Sequence, residues 1–267
     1  MNYIPKILSQ EIRDKIKYLN EFSKKNSVRY QRDLVGKRME KCALEKNAMI
    51  NSYRLEHDSA KVPHNIPRNG EKKIIKEGIK NLKNAFCWGG QNLDLSRIDK
   101  KFIEGLNYRI VPEVYPSGEV EYPHTSSKLF GASVSPPDPY KIQKKEFPTF
   151  FNALRNNSNT FDSIQQMEVA IFSHFHLARI HPFYDGNGRT SRVLQDLILK
   201  SYKIPLPIIN PGERNTYYLF LDRAIKDWKE KNNWALNSKI TEGERDFYNF
   251  MAGKVNVSLD CLLEKLF

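Results

Sequence analysis

Twelve consecutive residues, His181-Pro-Phe-Tyr-Asp-Gly-Asn-Gly-Arg-Thr-Ser-Arg192, bring together an imidazole, a carboxylate, two glycines and two guanidinium groups. His181 supplies a base that titrates near neutral pH and can take a proton from an incoming hydroxyl. Asp185 is a hard oxygen ligand of the kind that holds Mg2+ together with substrate phosphates. Gly186 and Gly188 allow positive φ and a close backbone approach to an anion, and Asn187 between them can line an anion hole with its amide. Arg189 and Arg192 are three apart, so on a helix they are neighbours on one face, where two planar forks can grip phosphate oxygens. These residue types in this order specify phosphoryl or nucleotidyl chemistry before any other class.

Two helical patterns flank the run and must position it. Upstream, Ile164, Met167, Ile171, Phe175 and Ala178 recur at three- and four-residue spacing, which predicts a helix over Ser163–Ile180 with Ser163 and Gln166 as a capping box. Downstream, Val193, Leu194, Leu197 and Ile198 begin a second apolar stripe. The glycines therefore fall at the mouth of a helix, where backbone N–H groups lack intrahelical partners and the macrodipole favours anions. His174 and His176, two apart, face different sides of the first helix and make a poor metal pair; His174 is expected to bond inside the bundle.

Elsewhere the chain reads as mainly helical, without internal repeats. Helical patterns cover residues 7–55, 71–88, 96–106 (with Asp94 or Ser96 as cap), 214–229 and 242–266. Residues 57–70, with Pro63, Pro67, Asn65, Asn69 and Gly70, read as a loop. Between 111 and 137, Pro112, Pro116, Gly118, Pro123, Gly131, Pro136 and Pro137 alternate with Val, Tyr and Phe, which is strand-and-turn chemistry.

The run from His181 to Arg192 resembles the signature of the Fic (filamentation induced by cAMP) family, H-x-F-x-[D/E]-G-N-G-R-x-x-R, at every specified position. Met167-Glu-Val-Ala-Ile-Phe-Ser-His174 is similar to the family's helix leading into the active site. The stretch Leu129, Phe130, Gly131, Ala132, Ser133, Val134, continuing to Pro137, looks like its β-hairpin flap, on which a target protein docks. Arg214-Asn-Thr-Tyr217-Tyr218 resembles the segment whose aromatics enclose the nucleotide base.

The resemblance implies a mainly α fold, a Fic-type helical bundle with a small β-hairpin flap. It implies a core over residues 96–230, an N-terminal helical region over 1–95 and a C-terminal helical extension over 231–267.

The activity it implies is protein adenylyltransferase, moving AMP from ATP, with Mg2+, to a Tyr, Thr or Ser hydroxyl of a protein target or of the chain itself. In that reading His181 is the base and Asp185 holds the metal. Gly186, Asn187 and Gly188 form the anion hole, Arg189 and Arg192 fix the β- and γ-phosphates, and Tyr217 and Tyr218 line the base. Ser52 and Glu56, one helical turn apart on a helix of about 45–57, resemble the family's inhibitory motif [S/T]-x-x-x-E-[G/N], with His57 in the final place. Asp196 stands where the family often has Asn near the adenosine. Removal of AMP from a modified protein, another phosphate transfer on the same fold, and a non-catalytic interaction module are the alternatives; the intact Gly-Asn-Gly run, His181 and Asp185 speak against the last two.

Composition fits these expectations. A chain of 267 residues, 40% of them hydrophobic, can bury a substantial core as one domain with extensions. No run of eighteen apolar residues and no signal-peptide pattern occurs, so a soluble chain with no membrane partner is expected. Cys42, Cys87 and Cys261 are odd in number and lack C-x-x-C spacing, which suggests neither a disulfide framework nor a zinc site and points to a reducing cytoplasm. The net charge of +12 is scattered from Lys6 to Lys265 without a DNA-binding element, so no specific nucleic-acid partner is expected.

Overall fold

The computed structural model describes residues 3–22, 26–52, 68–123, 134–232 and 239–266. Its long helices are α1 (Lys6–Phe22), α2 (Asn26–Ser52), α3 (Arg68–Asn92), α4 (Lys100–Ile110), α5 (Phe147–Asn157), α6 (Ser163–Ile180), α7 (Asn187–Ser201), α8 (Arg214–Asn232) and α9 (Glu242–Glu264). At the centre lies α6, buried at every position from Met167 to Ile180. A helix buried on all sides must be surrounded, and α1, α5, α7 and α9 pack around it. α3 and α4 cover the outer side of α7, and α2 crosses α7 between α3 and α9. One apolar core joins Leu82 and Phe86 of α3, Ile103 and Leu106 of α4, Phe175 of α6, Leu194 and Ile198 of α7, Trp228 of α8 and Phe247 of α9.

Helix starts differ from the expected caps for local reasons. The carboxylate of Asp162 accepts from the N–H groups of Ile164 and Gln165, so Asp162 rather than Ser163 caps α6. Gln166 reaches back to the Thr160 carbonyl instead of closing a capping box. Likewise Asp99 caps α4 through the Phe102 N–H, while Asp94 folds its own turn onto Ser96. Residues 139–157 are helical without having been marked by periodicity. Pro139–Lys141 runs through a π-turn, Ile142–Glu146, into α5, and Pro148, lacking an N–H and crowding the preceding turn, explains the widened ladder.

The β-hairpin is overturned: no β-strand occurs among the described residues. Pro112 opens a single 3-10 turn, Pro112–Val114, and a second turn closes with the Gly118 N–H on the Tyr115 carbonyl. The prolines remove ladder donors and fix φ. Val111 and Tyr115 are buried in the helical core rather than displayed on a pleated face. Of the expected flap, Leu129, Phe130, Gly131, Ala132 and Ser133 lie outside the described residues, and Val134 is half-buried in a segment without regular structure. Glu56 also lies outside them; Ser52 is the last residue of α2.

Candidate active site

The signature run is the loop from α6 to α7. His181 ends α6 in the left-handed region, φ 49° and ψ 56°, with its N–H on the Leu177 carbonyl at 3.1 Å. Few non-glycine residues adopt this conformation, and here it turns the chain sharply out of the central helix. Two residues on, Phe183 is fully buried and stacks on Tyr122, ring centroids 5.8 Å apart. Asn187 closes the loop around it: its Oδ1 accepts from the Phe183 N–H at 2.9 Å and its Nδ2 donates to the Phe183 carbonyl at 2.7 Å. The Asn187 side chain is thus a brace, its amide committed to the Phe183 backbone. The first ladder bond of α7 joins the Thr190 N–H to the Gly186 carbonyl at 2.8 Å, which leaves the N–H groups of Asn187, Gly188 and Arg189 without intrahelical acceptors.

Gly186 caps α7 at φ 77° and ψ 0°. A Cβ there would lie 2.8 Å from Asn107 Nδ2 and 3.1 Å from Val111 Cγ2. Conformation and space both require glycine. Gly188 has ordinary φ, and a Cβ would meet Arg192 Nη1 at 3.4 Å.

Asp185 is the exposed member, its side chain 61% accessible. One of its oxygens accepts from the Gly186 N–H at 2.5 Å and the other pairs with Arg189 Nη2 at 3.2 Å. Among the described residues no group of three or more His, Cys, Asp and Glu side chains could hold a metal ion. A lone exposed carboxylate beside the N–H groups at a helix mouth suits a cation that arrives with phosphate oxygens, not one caged by protein.

The two arginines part company. Arg189 stays at the loop, whereas Arg192 is buried, with Nε on Asn47 Oδ1 of α2 at 2.5 Å and Nη1 on the Tyr217 hydroxyl at 3.2 Å. Tyr217 is also fully buried, its hydroxyl 2.8 Å from His174 Nε2, and His174 Nδ1 lies 2.8 Å from Gln195 Oε1. His174 therefore bonds inside the bundle, as expected. Burial, and then the charge on Arg192, push its imidazole down to about 3. A neutral ring with Nδ1–H facing Gln195 accepts from Tyr217, and the Tyr217 hydroxyl accepts from Arg192. Tyr217 is thus a strut behind Arg192, not an open face for a base. Tyr218 is half-buried, edge-on to Tyr217 at 5.0 Å, with the Arg214 guanidinium 5.3 Å from its ring centre.

Behind Arg192 is a void of about 10 Å³ lined by Ala43, Asn47, Arg192, Gln195, Asp196, Pro207, Ile209 and Met251. Burial pushes the Asp196 carboxyl up to about 8, against the pull of Arg192. Sequence reasoning missed Asn47 and Asn107, which touch the signature, and gave no role to Thr190 inside it. A signal existed for Asn107: it interrupts the buried stripe Ile103, Leu106, Ile110 of α4 at a core position. No comparable mark singles out Asn47 on the polar helix α2.

Residues 97–199 match the Fic/DOC family. The chain is 30% identical over 167 residues to "Protein adenylyltransferase Fic" of Drosophila grimshawi, a match covering 62% of this chain and 30% of that protein. It is 28% identical over 187 residues to the protein of the same description from Nematostella vectensis, covering 68% of this chain and 41% of that protein. It therefore spans well under half the length of these relatives. A Fic domain containing signaling protein from Bacteroides thetaiotaomicron shares the fold, with a TM-score of 0.68, 19% identity and 96% of each chain covered. The signature loop, held by α4 and α7, lies inside the segment of the chain that matches the Fic/DOC family.

Proposed function

We propose that this chain transfers AMP from ATP to a hydroxyl side chain of a protein, releasing pyrophosphate. The observation that carries the reading is the α6–α7 loop. An imidazole at the end of a buried helix is followed, within one glycine-bracketed turn, by the open N–H groups of a second helix and by two guanidinium groups. In the reaction His181 takes the proton of the acceptor hydroxyl. The oxygen forms a bond to the α-phosphorus as the bond to the bridging α–β oxygen breaks, and the electron pair leaves on pyrophosphate. The mouth of α7 and Arg189 hold the developing charge, and this is positioning and electrostatic work rather than covalent catalysis. Asp185 would hold Mg2+, which when bound neutralises phosphate charge. The curated relatives that share this segment carry the name of this activity, which supports the same assignment here.

Regulation is part of the proposal. α2, whose last residue Ser52 begins the inhibitory motif, already touches the signature through Asn47 and Arg192. In our reading Glu56 competes with the γ-phosphate for Arg192, so the chain as it stands is nearly silent in transfer.

Intact-protein mass spectrometry after incubation with ATP and Mg2+ tests the activity. A gain of one AMP on a target or on the chain itself is expected in the Glu56→Gly variant and not in Glu56→Gly/His181→Ala. Loss of general-base help lowers rates by about 10^2 to 10^4. Labelling of the His181→Ala form at an undiminished rate would remove that residue from the mechanism.

A further inference from the structure

Asn107 lies on α4, outside the signature, and is completely buried. Both amide hydrogens and the amide oxygen are bonded. Nδ2 donates to the Asp185 carbonyl at 2.9 Å and to Thr190 Oγ1 at 3.0 Å, while Oδ1 accepts from the Tyr115 hydroxyl at 2.7 Å. A backbone carbonyl can only accept, so the contact with Asp185 settles which end of the amide carries the hydrogens. The bonded carbonyl belongs to the Asp185–Gly186 peptide. In a trans peptide C=O and N–H point in opposite directions, so holding the carbonyl toward α4 holds the Gly186 N–H on the other side, where a carboxylate oxygen of Asp185 accepts it. Gly186, at positive φ and without a side chain, offers little steric resistance to rotation of that peptide. A rotated peptide would turn its carbonyl oxygen to the side where the Gly186 N–H now lies, beside the open N–H groups of Asn187, Gly188 and Arg189, where an oxygen repels an anion.

We propose that Asn107 is the positioning residue of the phosphate-binding loop, fixing the Asp185–Gly186 peptide so that the mouth of α7 presents donors to phosphate. This rests on the adenylyl-transfer reading only in assigning the anion to a nucleotide. The second tie, to Thr190 one turn into α7, makes loop and helix a single rigid unit, and Tyr115 anchors that unit to the segment following α4.

The test is the isosteric change Asn107→Asp, which sets an oxygen against the Asp185 carbonyl, beside Asn107→Ala in case the aspartate variant does not fold. Tyr202→Phe is the control: it removes one hydrogen bond, to the Ser158 carbonyl, at the far end of α7. All are made in the Glu56→Gly background. Calorimetric affinity for magnesium pyrophosphate is expected to fall at least tenfold in both Asn107 variants, with kcat/KM for AMP transfer falling at least as far. The Gly186 amide cross-peak in a 1H–15N spectrum should move in both. Tyr202→Phe should keep pyrophosphate affinity within twofold. Asn107 variants that melt earlier yet bind pyrophosphate as their parent does would reduce the residue to a stability role and overturn the proposal. A parent that binds pyrophosphate but transfers no AMP would sink the activity and leave the Asn107 test standing; one that binds no pyrophosphate overturns both.

Discussion

Arg192 Nε donates to Asn47 Oδ1 across 2.5 Å, so the last arginine of the signature is held by a helix 145 residues earlier in the chain. Both side chains are buried, and among the described residues Asn47 Nδ2 has no hydrogen-bond partner. The position of α2 and the availability of that guanidinium are therefore one variable.

Regulation by α2 should show in labelling. Glu56→Gly is expected to raise AMP incorporation at least about tenfold, equivalent to roughly 1.4 kcal/mol of barrier. Asn47→Ala, which loosens the same guanidinium without touching the motif, should give a smaller increase. Gel or mass quantification under equal ATP occupancy checks both. Equal labelling by the parent chain and Glu56→Gly would make Glu56 a solvated helix residue.

Asp185→Ala should abolish transfer, and neither Ca2+ nor excess Mg2+ should restore it, because the loop has no second carboxylate to hold a cation against the phosphates. The change also frees the Gly186 N–H and Arg189, so binding of metal-free pyrophosphate should be retained. Titrating activity against Mg2+ decides. An unaltered metal profile in Asp185→Ala would assign the ion to another ligand.

Stability should fall toward both acid and alkaline pH, through buried histidines on one side and buried Asp196 on the other. The neutral Asp196 carboxyl, pushed up to about 8 by burial, keeps a proton that the unfolded chain sheds above about pH 4. Its contribution therefore falls as pH rises to about 8 and is flat beyond. His174, pushed down to about 3 by burial and then by Arg192, acts in the opposite sense, as does His176, lowered by burial and then by Arg179. The unfolded imidazoles take up protons below about 6.5, so stability is lost as pH drops under that value. Glu168 and Glu244, raised by burial, act in the same sense as Asp196, and the two imidazoles oppose all three. Asp196→Asn should remove the alkaline fall and gain at least about 1.4 kcal/mol at pH 8, the worth of one pKa unit. Melting temperatures at pH 5, 6.5 and 8 test this; an unchanged alkaline slope in the variant would refute it.

Lys203 ends α7 at φ 59°, with the Ile204 N–H on the Leu199 carbonyl at 3.0 Å and its own N–H on Lys200 at 2.9 Å. That is the left-handed position after a helix where glycine has no steric penalty. Lys203→Gly should stabilise by about 0.5–1 kcal/mol, since relief of strain exceeds the extra freedom gained by the unfolded chain. Thermal or urea unfolding measures the gain; a loss would mean that the lysine side chain contributes more than its backbone strain costs.

Read along the chain, the signature declared its chemistry because each residue type in it is tied to a task, and because a helix pattern on either side placed its glycines at a helix mouth. Local rules of that kind also located α6, α7, α8 and α9, whose apolar faces recur strongly. They misplaced the caps at Asp162 and Asp99, where neighbouring Ser163, Asp94 and Ser96 were equally plausible by type. They also suggested strands around Tyr115, where prolines and a buried tyrosine serve a helical core. What only the tertiary structure decided is which distant groups share a hydrogen bond. Asn107 under the Asp185 carbonyl, Asn47 on Arg192 and His174 behind Tyr217 join residues separated by 78, 145 and 43 positions. Periodicity assigns a residue to a face but carries no information on what that face meets. Satisfying a buried amide or guanidinium is a condition on three-dimensional neighbours, and it appears only when the helices are packed.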